Sequence, residues 1–337
     1  MSKANKKNPG DLFLVIGSNS FSGSHFVAHL LEKGAQVLGV SRSPEPHRVF
    51  LPYRWGDCRN FRFHQLDLNH DHRQMVRLIE KKRPAYVVNF AAQGMVAQSW
   101  EKPVDWFMTN TVAMVRLHDA LRKFDFIKKF VQASTPEVYG NTRGAVRETA
   151  PFNPSTPYAI SKAACDMSLL AYARAFDFPV ALTRSANVCG PGQQLYRIIP
   201  KTILCILTGQ KLKLEGGGLS VRSFIHIRDV CEGTWLAATR APSGSIYHLS
   251  TDRRVTIRCL VELICRRLGA NFADCVEVAP ARKAQDAAYL LDWRKAREEL
   301  KWRPRISLEK IVAETAAWTR KNLAVLRKQP AVYRHKQ

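Results

Sequence analysis

Tyr158 and Lys162, which lie four residues apart, are the residues of this chain whose types and spacing best suit proton transfer. At that spacing two side chains share one face of a helix, and Pro157 fits the first turn of such a helix. A lysine ammonium favours the phenolate form of a neighbouring tyrosine, because opposite charge lowers the phenol pKa from its reference of about 10. We therefore expect Tyr158 to act as a general base near neutral pH, with its pKa lowered by Lys162.

A strand-like segment, Phe130 to Ala133, ends just before Ser134, Thr135 and Glu137. Hydroxyl and carboxylate groups at a strand end are available to bind a substrate and to move its protons. Tyr and Lys at helical spacing also occur on ordinary surface helices. The polar strand end, together with a glycine-containing loop near the start of the chain, favours a catalytic site.

That loop runs from Gly17 to Gly23, after the apolar run Leu12 to Ile16 and before a helical pattern. Strand, tight turn and helix in this order are typical of a dinucleotide site. Glycines let the backbone approach a pyrophosphate, and the helix start supplies free N–H groups. Ser20 stands at the middle position, where a glycine is usual.

The second predicted strand, Gln36 to Val40, is followed by Ser41 and Arg42 rather than by an acidic residue. An acidic residue there would bind the ribose 2′-hydroxyl of NAD, whereas arginine suits a 2′-phosphate. We therefore expect NAD(P)+ as cofactor, with NADP+ favoured over NAD+, although Arg42 could instead stack on adenine or face solvent. The other residues expected at the cofactor site are Phe21, Ser22, Asp67, Leu68, Ala91, Ala92, Gln93 and Asn110.

Predicted strands and helices alternate along the first 185 residues, which indicates an α/β protein with a Rossmann-type doubly wound parallel sheet. The segment Ser245 to Leu249 is expected to return to this sheet. We assign residues 11–185, about 223–250 and 305–322 to the dinucleotide-binding domain. We expect residues of about 186–222 and 251–304 to form a smaller, discontinuous α/β substrate domain. Residues 1–10 and 327–337 are predicted to be flexible termini.

The 337-residue chain carries 52 Lys and Arg against 28 Asp and Glu, a net charge of +24. These cations are scattered in doublets and triplets without an aromatic-interleaved basic tract, so solvated faces are favoured over a specific nucleic-acid partner. No early apolar run is long enough for a membrane span or signal peptide, which predicts a cytoplasmic protein with no membrane partner. The eight cysteines include no Cys-x-x-Cys pair, so neither a metal site nor a disulfide framework is expected.

Together these features resemble the extended short-chain dehydrogenase/reductase family, and within it the nucleotide-sugar epimerases and 4,6-dehydratases of the GDP-mannose and dTDP-glucose kinds. The resemblance covers Gly17 to about Trp318. It implies a Rossmann domain with a smaller substrate domain, assembled as a homodimer or tetramer. The matching motifs are Gly17-x-x-Ser20-x-x-Gly23, Asp67-Leu68, Asn89-x-Ala91-Ala92, Ser134-Thr-x-Glu137-Val-Tyr-Gly140, Tyr158-x-x-x-Lys162, Arg184-x-x-Asn187-Val-x-Gly190-Pro, Arg222-x-Phe, Asp286-x-x-Tyr-x-x-Asp292 and Leu300-x-Trp302-x-Pro304.

The resemblance also implies the chemistry. Thr135 hydrogen-bonds the sugar 4-hydroxyl, Tyr158 deprotonates it, and Lys162 holds Tyr158 and the nicotinamide ribose. Oxidation at C4 acidifies the C5 proton, which Glu137 removes; water leaves from C6, and the stored hydride returns to C6. The residues implied to bind the nucleotide-diphosphate sugar substrate are Ser134, Asn187, Ile199, Arg222 and Arg282.

Pro136 departs from the dTDP-sugar dehydratases, in which an Asp at this position protonates the leaving 6-hydroxyl. Proline can neither donate a proton nor offer an amide N–H, so either Glu137 passes the C5 proton to the C6 oxygen, or another group or water does. The GDP-mannose dehydratases also lack that Asp and often use NADP. Pro136 and Arg42 therefore make this chain more similar to the GDP-mannose dehydratases than to the dTDP-sugar dehydratases.

Alternative functions stay open. A 4-epimerase has no need of Glu137, which favours a dehydratase, but a nucleotide-sugar 4-epimerase or decarboxylase of the same fold is the nearest alternative. A non-catalytic nucleotide-binding or RNA-binding relative is a more remote one, because such a protein has no use for Thr135, Tyr158 and Lys162 together.

Overall fold

The computed structural model describes residues 11–280 and 287–335. Its strands are β1 (Leu12–Ile16), β2 (Gln36–Ser41), β3 (Phe61–Gln65), β4 (Tyr86–Asn89), β5 (Lys129–Ala133), β6 (Ala145–Val146), β7 (Val180–Ser185), β8 (Asn187–Cys189), β9 (Leu212–Glu215), β10 (Val221–Arg222), β11 (Phe224–His226), β12 (Ser245–Leu249), β13 (Val255–Thr256), β14 (Val276–Ala279) and β15 (Leu290–Leu291).

The α-helices are α1 (Phe21–Glu32), α2 (His72–Lys82), α3 (Val96–Ser99), α4 (Pro103–Phe107), α5 (Ala113–Leu121), α6 (Pro157–Phe176), α7 (Ile198–Leu207), α8 (Ile227–Arg240), α9 (Ile257–Leu268), α10 (Phe272–Cys275), α11 (Arg294–Leu300), α12 (Leu308–Lys321) and α13 (Leu323–Leu326). Four short 3-10 helices span Arg48–Phe50, Pro52–Arg54, Pro136–Tyr139 and Gly216–Gly218. A π-helical turn, Met108–Val112, joins α4 to α5, so the chain from Pro103 to Leu121 is helical throughout but not uniformly α-helical.

Seven strands form one parallel sheet in the order β12-β7-β5-β4-β1-β2-β3. The strand order reverses between β1 and β4, and in open α/β sheets ligands bind in the crevice beyond the carboxyl ends of the strands at such a point. The Rossmann-type α/β fold is therefore confirmed. β12 spans residues 245–249, the segment that was expected to return to the main sheet, and it pairs there with β7.

Each face of the sheet is covered by its own apolar layer, because alternate side chains of a strand point to opposite faces. In β1, Phe13 and Val15 pack with α1, α8 and α11, whereas Leu14 and Ile16 pack with α2, α5 and α6. The near-continuous apolar sequence of β1 reflects burial on both sides.

A second lobe is built around α7, α9 and α12, with the small paired strands β9–β14 and β10–β13. Its core joins Ile199 and Ile203 of α7, Leu260 and Ile264 of α9, and Val312 of α12. Residues 305–322, assigned from the sequence to the dinucleotide-binding domain, thus contribute α12 to the core of the other lobe. In the same way α11, assigned to the substrate domain, packs through Ala296 and Leu300 with the main-sheet core.

Candidate active site

One cavity of about 1240 Å³ runs from the carboxyl ends of β1, β2 and β4 to the second lobe. Residues from all parts of the sequence-predicted site line it: Gly17, Ser20, Phe21, Ser22, Ser41, Arg42, Asp67, Leu68, Ala91, Ala92, Gln93, Ser134, Thr135, Glu137, Tyr158, Lys162, Asn187, Ile199 and Arg222. Gly23 and Asn110 lie behind the wall, and Arg282 lies outside the described residues. The fold thus gathers most of these predicted residues in one cleft.

The loop between β1 and α1 is shaped for close approach of a ligand to its backbone. Gly17 has φ of 81°, and a Cβ there would lie 2.6 Å from the Ala91 nitrogen. At Gly23 a Cβ would lie 2.1 Å from the Gly17 oxygen, so neither position accepts a side chain. Ser20 caps α1, since its Oγ accepts from the Gly23 N–H at 3.0 Å. This cradle at a helix start fits the pyrophosphate of a dinucleotide.

Asn110 supports the cofactor cleft from behind. Its Nδ2 donates to the Gln93 carbonyl and to Ser161 Oγ, both at 3.0 Å, while its Oδ1 accepts from the Gln93 N–H at 2.9 Å. These three bonds use both donors of the Asn110 amide and tie the turn after β4 to α6. Direct contact between Asn110 and the cofactor stays a prediction, whereas its role in fixing Gln93 follows from the geometry.

The end of β2 carries the residues expected at the adenosine ribose. Ser41 Oγ accepts from the Asn19 N–H at 3.0 Å, which fixes the start of this loop. The nearby acid, Glu45, accepts hydrogen bonds at 2.8 Å from Arg54 and from the Tyr53 hydroxyl. Because this carboxylate is already paired with a guanidinium, its negative charge at this end of the cavity is largely offset.

The proposed catalytic groups meet where β5 ends and α6 begins. Helix α6 starts at Pro157, and the Thr156 side chain caps it by accepting from the Ala159 N–H at 3.2 Å. The Thr135 hydroxyl accepts from the Glu137 N–H at 3.3 Å, and it lies close enough to the phenol of Tyr158 to lower its pKa. Thr135 therefore links the polar strand end to the tyrosine.

Burial and neighbouring groups act on the pKa of Tyr158. Burial raises this pKa well above the usual range, and the Glu137 carboxylate raises it further; the Thr135 hydroxyl and Arg197 act in the opposite direction. The main influences on this pKa do not include Lys162, whose Nζ donates to the Ala133 carbonyl at 2.9 Å. That Lys162 lowers the pKa of Tyr158 stays a prediction.

A buried ion pair lies beneath the strand end. Asp166 and Arg184 are both fully buried, and Arg184 Nη2 donates to Asp166 Oδ2 at 2.9 Å. The Ser134 hydroxyl donates to the same oxygen at 2.6 Å, and Arg184 also hydrogen-bonds Tyr139. The hydroxyl of Ser134 is thus engaged in supporting β5, and its predicted contact with substrate stays untested.

The second lobe contributes a polar stack. Asn187 Nδ2 donates to the Ser223 carbonyl at 3.2 Å, and its Oδ1 accepts from the Tyr289 hydroxyl at 3.1 Å. The Arg222 guanidinium lies 4.2 Å from the centre of the Tyr289 ring and donates to the Ala287 carbonyl at 3.0 Å. Stacking on an aromatic face is a common way to orient an arginine toward phosphate oxygens.

The carboxyl-terminal segment also reaches the cavity, which is lined by Gln329, Pro330, Val332, Tyr333 and Arg334. Tyr333 packs edge-on against Tyr196 with ring centres 5.6 Å apart. His335 stacks on Trp106 and lies 2.6 Å from the Asp105 carboxylate. The described part of a segment predicted as a flexible terminus is therefore packed along the cleft.

The comparisons with known proteins agree with this geometry. A family model described as GDP-mannose 4,6 dehydratase matches residues 14–315. A dTDP-glucose 4,6-dehydratase from Streptomyces antibioticus is 36% identical over 332 residues, covering 94% of this chain and 96% of its own. The chain belongs to the nucleotide-sugar 4,6-dehydratase family.

Solved structures support the same assignment. DesIV, a dTDP-glucose 4,6-dehydratase from Streptomyces venezuelae solved with NAD, matches with a TM-score of 0.86 and 31% identity, covering 93% of this chain and 98% of that one. A UDP-glucose 4-epimerase from Thermotoga maritima matches with a TM-score of 0.85 and 30% identity, covering 93% and 99%. As the sequence predicted, the protein is an NAD(P)-dependent enzyme of the extended short-chain dehydrogenase/reductase family, a hydro-lyase of the 4,6-dehydratase type.

No helix within the described residues is long and apolar enough to cross a bilayer. In residues 11–280 and 287–335, no three His, Cys, Asp or Glu side chains are grouped as metal ligands would be.

The sequence analysis missed two residues of this dehydratase site. Arg197, which acts on the pKa of Tyr158, was not among the predicted site residues. Tyr289 was noted in a carboxyl-terminal motif but given no role. Its position three residues before Asp292 in that motif was the available signal.

Proposed function

We propose that this dehydratase converts a nucleoside-diphosphate hexose into its 4-keto-6-deoxy derivative, using Thr135, Glu137, Tyr158 and Lys162. The observation that carries these roles is that all four side chains line one cavity, where the Thr135 hydroxyl accepts from the Glu137 N–H and the Glu137 carboxylate acts on the phenol of Tyr158. A base for the 4-hydroxyl and a base for the C5 proton are thereby available in one cavity. When bound, NAD(P)+ supplies the hydride acceptor and a positive charge.

Tyr158 takes the proton of the 4-hydroxyl while Thr135 orients that hydroxyl. The raised pKa of Tyr158 means that cations must favour its deprotonated form at the moment of reaction. Arg197 already does so, and Lys162 can contribute if its Nζ leaves the Ala133 carbonyl for the tyrosine and the ribose. Glu137 then removes the C5 proton, which the neighbouring ketone has made acidic.

The cofactor would be held by the backbone of the Gly17–Gly23 loop at its pyrophosphate and by Asp67 and Leu68 at its adenine. We propose NADP+ rather than NAD+, because Arg42 lines the ribose end of the cavity and the nearby acid Glu45 is paired with Arg54. Two structural relatives were solved with NAD, so the preference needs a direct test.

That test compares the dissociation constants of NADP+ and NAD+ for wild type and Arg42→Ala, measured by fluorescence titration. Loss of a charge-assisted contact to phosphate should weaken NADP+ binding about 10-fold or more and leave NAD+ nearly unchanged. Equal effects on both cofactors would show that Arg42 does not read the 2′-phosphate.

For the substrate, we propose that Arg222 and Asn187 bind the diphosphate, with Arg282 as a further contact and Ile199 in the wall beside the nucleoside. Arginine forks suit phosphate oxygens, and Arg222 is already oriented by the Tyr289 ring. Arg222→Met should therefore raise KM for the nucleotide sugar more than it lowers kcat.

We also propose a homodimer. Four large apolar side chains near α4 and α6 are exposed: Val104 (68%), Met108 (38%), Ile160 (42%) and Met167 (56%). An apolar face of this kind on two adjacent helices suits a self-association surface. Light scattering should give twice the monomer mass, and Met167→Glu should shift it toward monomer. The cytoplasmic location stays a prediction.

The activity itself is tested by incubating the protein with NAD(P)+ and a panel of nucleotide hexoses in deuterated water. A 4-keto-6-deoxy product carrying deuterium at C5 supports the dehydratase. A C4 epimer without deuterium would identify the 4-epimerase alternative, and release of carbon dioxide from a nucleotide uronic acid would identify the decarboxylase. Glu137→Gln should still oxidise C4, seen as absorbance at 340 nm, but form no product.

A further inference from the structure

Elimination at C6 needs a proton for the leaving hydroxyl, and the residue between Thr135 and Glu137 cannot supply it. Pro136 carries neither an acidic side chain nor an amide N–H. A missing general acid typically costs 10² to 10⁴ in rate. The question is therefore which group of this chain donates that proton, assuming the dehydratase activity proposed above.

Tyr289 is held beside the catalytic 3-10 helix by the backbone on both of its sides. The Ala288 N–H donates to Asn141 Oδ1 and the Leu290 N–H donates to Thr142 Oγ1, both at 3.0 Å. The Thr142 N–H in turn donates a hydrogen bond to the Ala288 carbonyl at 2.9 Å. These bonds fix the segment to the loop that follows Glu137, so the phenol has a defined place in the cavity wall.

The groups around the Tyr289 hydroxyl suit a proton donor. The hydroxyl donates to Asn187 Oδ1 at 3.1 Å, and Arg222 lies over the ring. The pKa of Tyr289 is raised to about 12, first by burial and then by the Glu137 carboxylate, while Arg222 and Asn187 act to lower it. The phenol thus stays protonated near neutral pH, and the cation over its ring can stabilise the phenolate after the proton has left.

The same carboxylate acts on both phenols of the cavity, since Glu137 also raises the pKa of Tyr158. Tyr158 is committed to the 4-hydroxyl, and Glu137 holds the C5 proton during elimination. Thr135 is an ordinary alcohol and too weak an acid. We propose that the phenol of Tyr289 donates its proton to the C6 oxygen as water leaves, in place of the acid that Pro136 does not provide.

The protons balance over one turnover. The 4-hydroxyl proton goes to Tyr158, and the C5 proton goes to Glu137 as the C5–C6 double bond forms. The C6–O bond breaks, and the Tyr289 proton completes the water molecule. Hydride returns to C6, and Glu137, whose proton exchanges with solvent, delivers a proton to C5. Tyr158 then has one proton more and Tyr289 one fewer, and a transfer through solvent or Glu137 restores both.

The test uses Tyr289→Phe in the holoenzyme, with dTDP-glucose or GDP-mannose, whichever the wild type converts. The variant keeps the ring under Arg222 and loses only the O–H group. We expect product formation to fall by about 10² to 10⁴, while C4 oxidation continues. In deuterated water, recovered substrate should then gain deuterium at C5 faster than product appears. Tyr172→Phe, which removes a hydroxyl from α6 outside the cavity, is the matched control.

A second substrate separates acid catalysis from positioning. In the 6-deoxy-6-fluoro analogue of the same nucleotide sugar, fluoride leaves without needing a proton in the way hydroxide does. Tyr289→Phe should eliminate fluoride within a few-fold of the wild-type rate. Equal loss of rate with both substrates, or no loss with either, would overturn the assignment. If wild type itself forms no 4-keto-6-deoxy product from any nucleotide hexose, the proposed function fails instead.

Discussion

The buried pair Asp166–Arg184 offers a sharp test of how the fold supports the catalytic strand end. Asp166 Oδ2 accepts from Arg184 Nη2 at 2.9 Å, from Arg184 Nε at 3.3 Å and from Ser134 Oγ at 2.6 Å. Neither charged side chain is exposed. We consider Asp166→Asn, Arg184→Met and the double variant.

The magnitude follows from what each change leaves behind. Asp166→Asn keeps an acceptor for Ser134 but leaves the Arg184 guanidinium buried without a counter-charge; Arg184→Met leaves the carboxylate alone. Breaking a buried pair on one side costs about 3–5 kcal/mol, whereas removing both charges often costs much less. We therefore expect each single variant to lose about 3 kcal/mol or more, and the double variant to lose less than the sum by about 2–3 kcal/mol.

Urea unfolding followed by circular dichroism measures these differences, and equal m-values across the four proteins justify comparing them. Because Thr135 follows Ser134 directly, kcat should fall in the single variants and recover in part in the double variant. The reasoning would be refuted if the stability lost in the double variant equalled the sum of the losses in the two single variants within about 0.5 kcal/mol. Such a result would mean that the two charges do not depend on each other for their burial.

Three further predictions concern single positions. The pKa of His118 is lowered to about 3, first by burial and then by Lys162, so between about pH 3 and 6.5 the unfolded chain binds more protons than the folded protein. Stability should fall as the pH drops, by about 2 kcal/mol from pH 6.5 to 5, and His118→Leu should remove this part in urea titrations. Gly23→Ala should weaken cofactor binding about 100-fold, because its Cβ would clash with the Gly17 oxygen at 2.1 Å. Asn110→Ala should weaken cofactor binding about 10-fold by releasing Gln93.

The first two of these predictions have a matched control. His70 is exposed, so His70→Gln should leave the acid dependence of stability unchanged. A Cβ at Gly56 would meet nothing within 4 Å, so Gly56→Ala should bind the cofactor like wild type. A Gly23→Ala protein with normal affinity would contradict the proposed pyrophosphate cradle. An Asn110→Ala protein that keeps both normal affinity and normal kcat would show that Gln93 needs no support.

Local order along the chain was predictable because it depends on near neighbours. The buried β1 could be identified as a short apolar run, and the helix after it by its periodicity and the glycine loop. Helix α6 was predictable from Pro157 and the spacing of Tyr158 and Lys162. The parallel sheet followed from alternation alone, since parallel strands need crossover connections. The family followed from motifs whose residues stand at fixed distances along the chain.

It was less predictable from the sequence which lobe each carboxyl-terminal segment packs against. The amphipathic sequence of α12 shows that one face is buried, but it does not say against which partner. The packing of Val312 with Ile203 and Leu260 joins positions far apart in sequence. The carboxyl-terminal segment is polar and basic, which is typical of a flexible end. Only its contacts with Trp106 and Tyr196 place it along the cleft.

The sequence by itself determined the order of strands and helices, the family and the identity of most residues in the cavity. Only the tertiary structure decided which charges act on which groups. Lys162 donates to the Ala133 carbonyl, Arg197 acts on the pKa of Tyr158, and Glu137 raises the pKa of both Tyr158 and Tyr289. The physical reason is that propensity and periodicity are local. The pKa of a group depends on burial and on charges within a few ångströms, which come from distant parts of the chain.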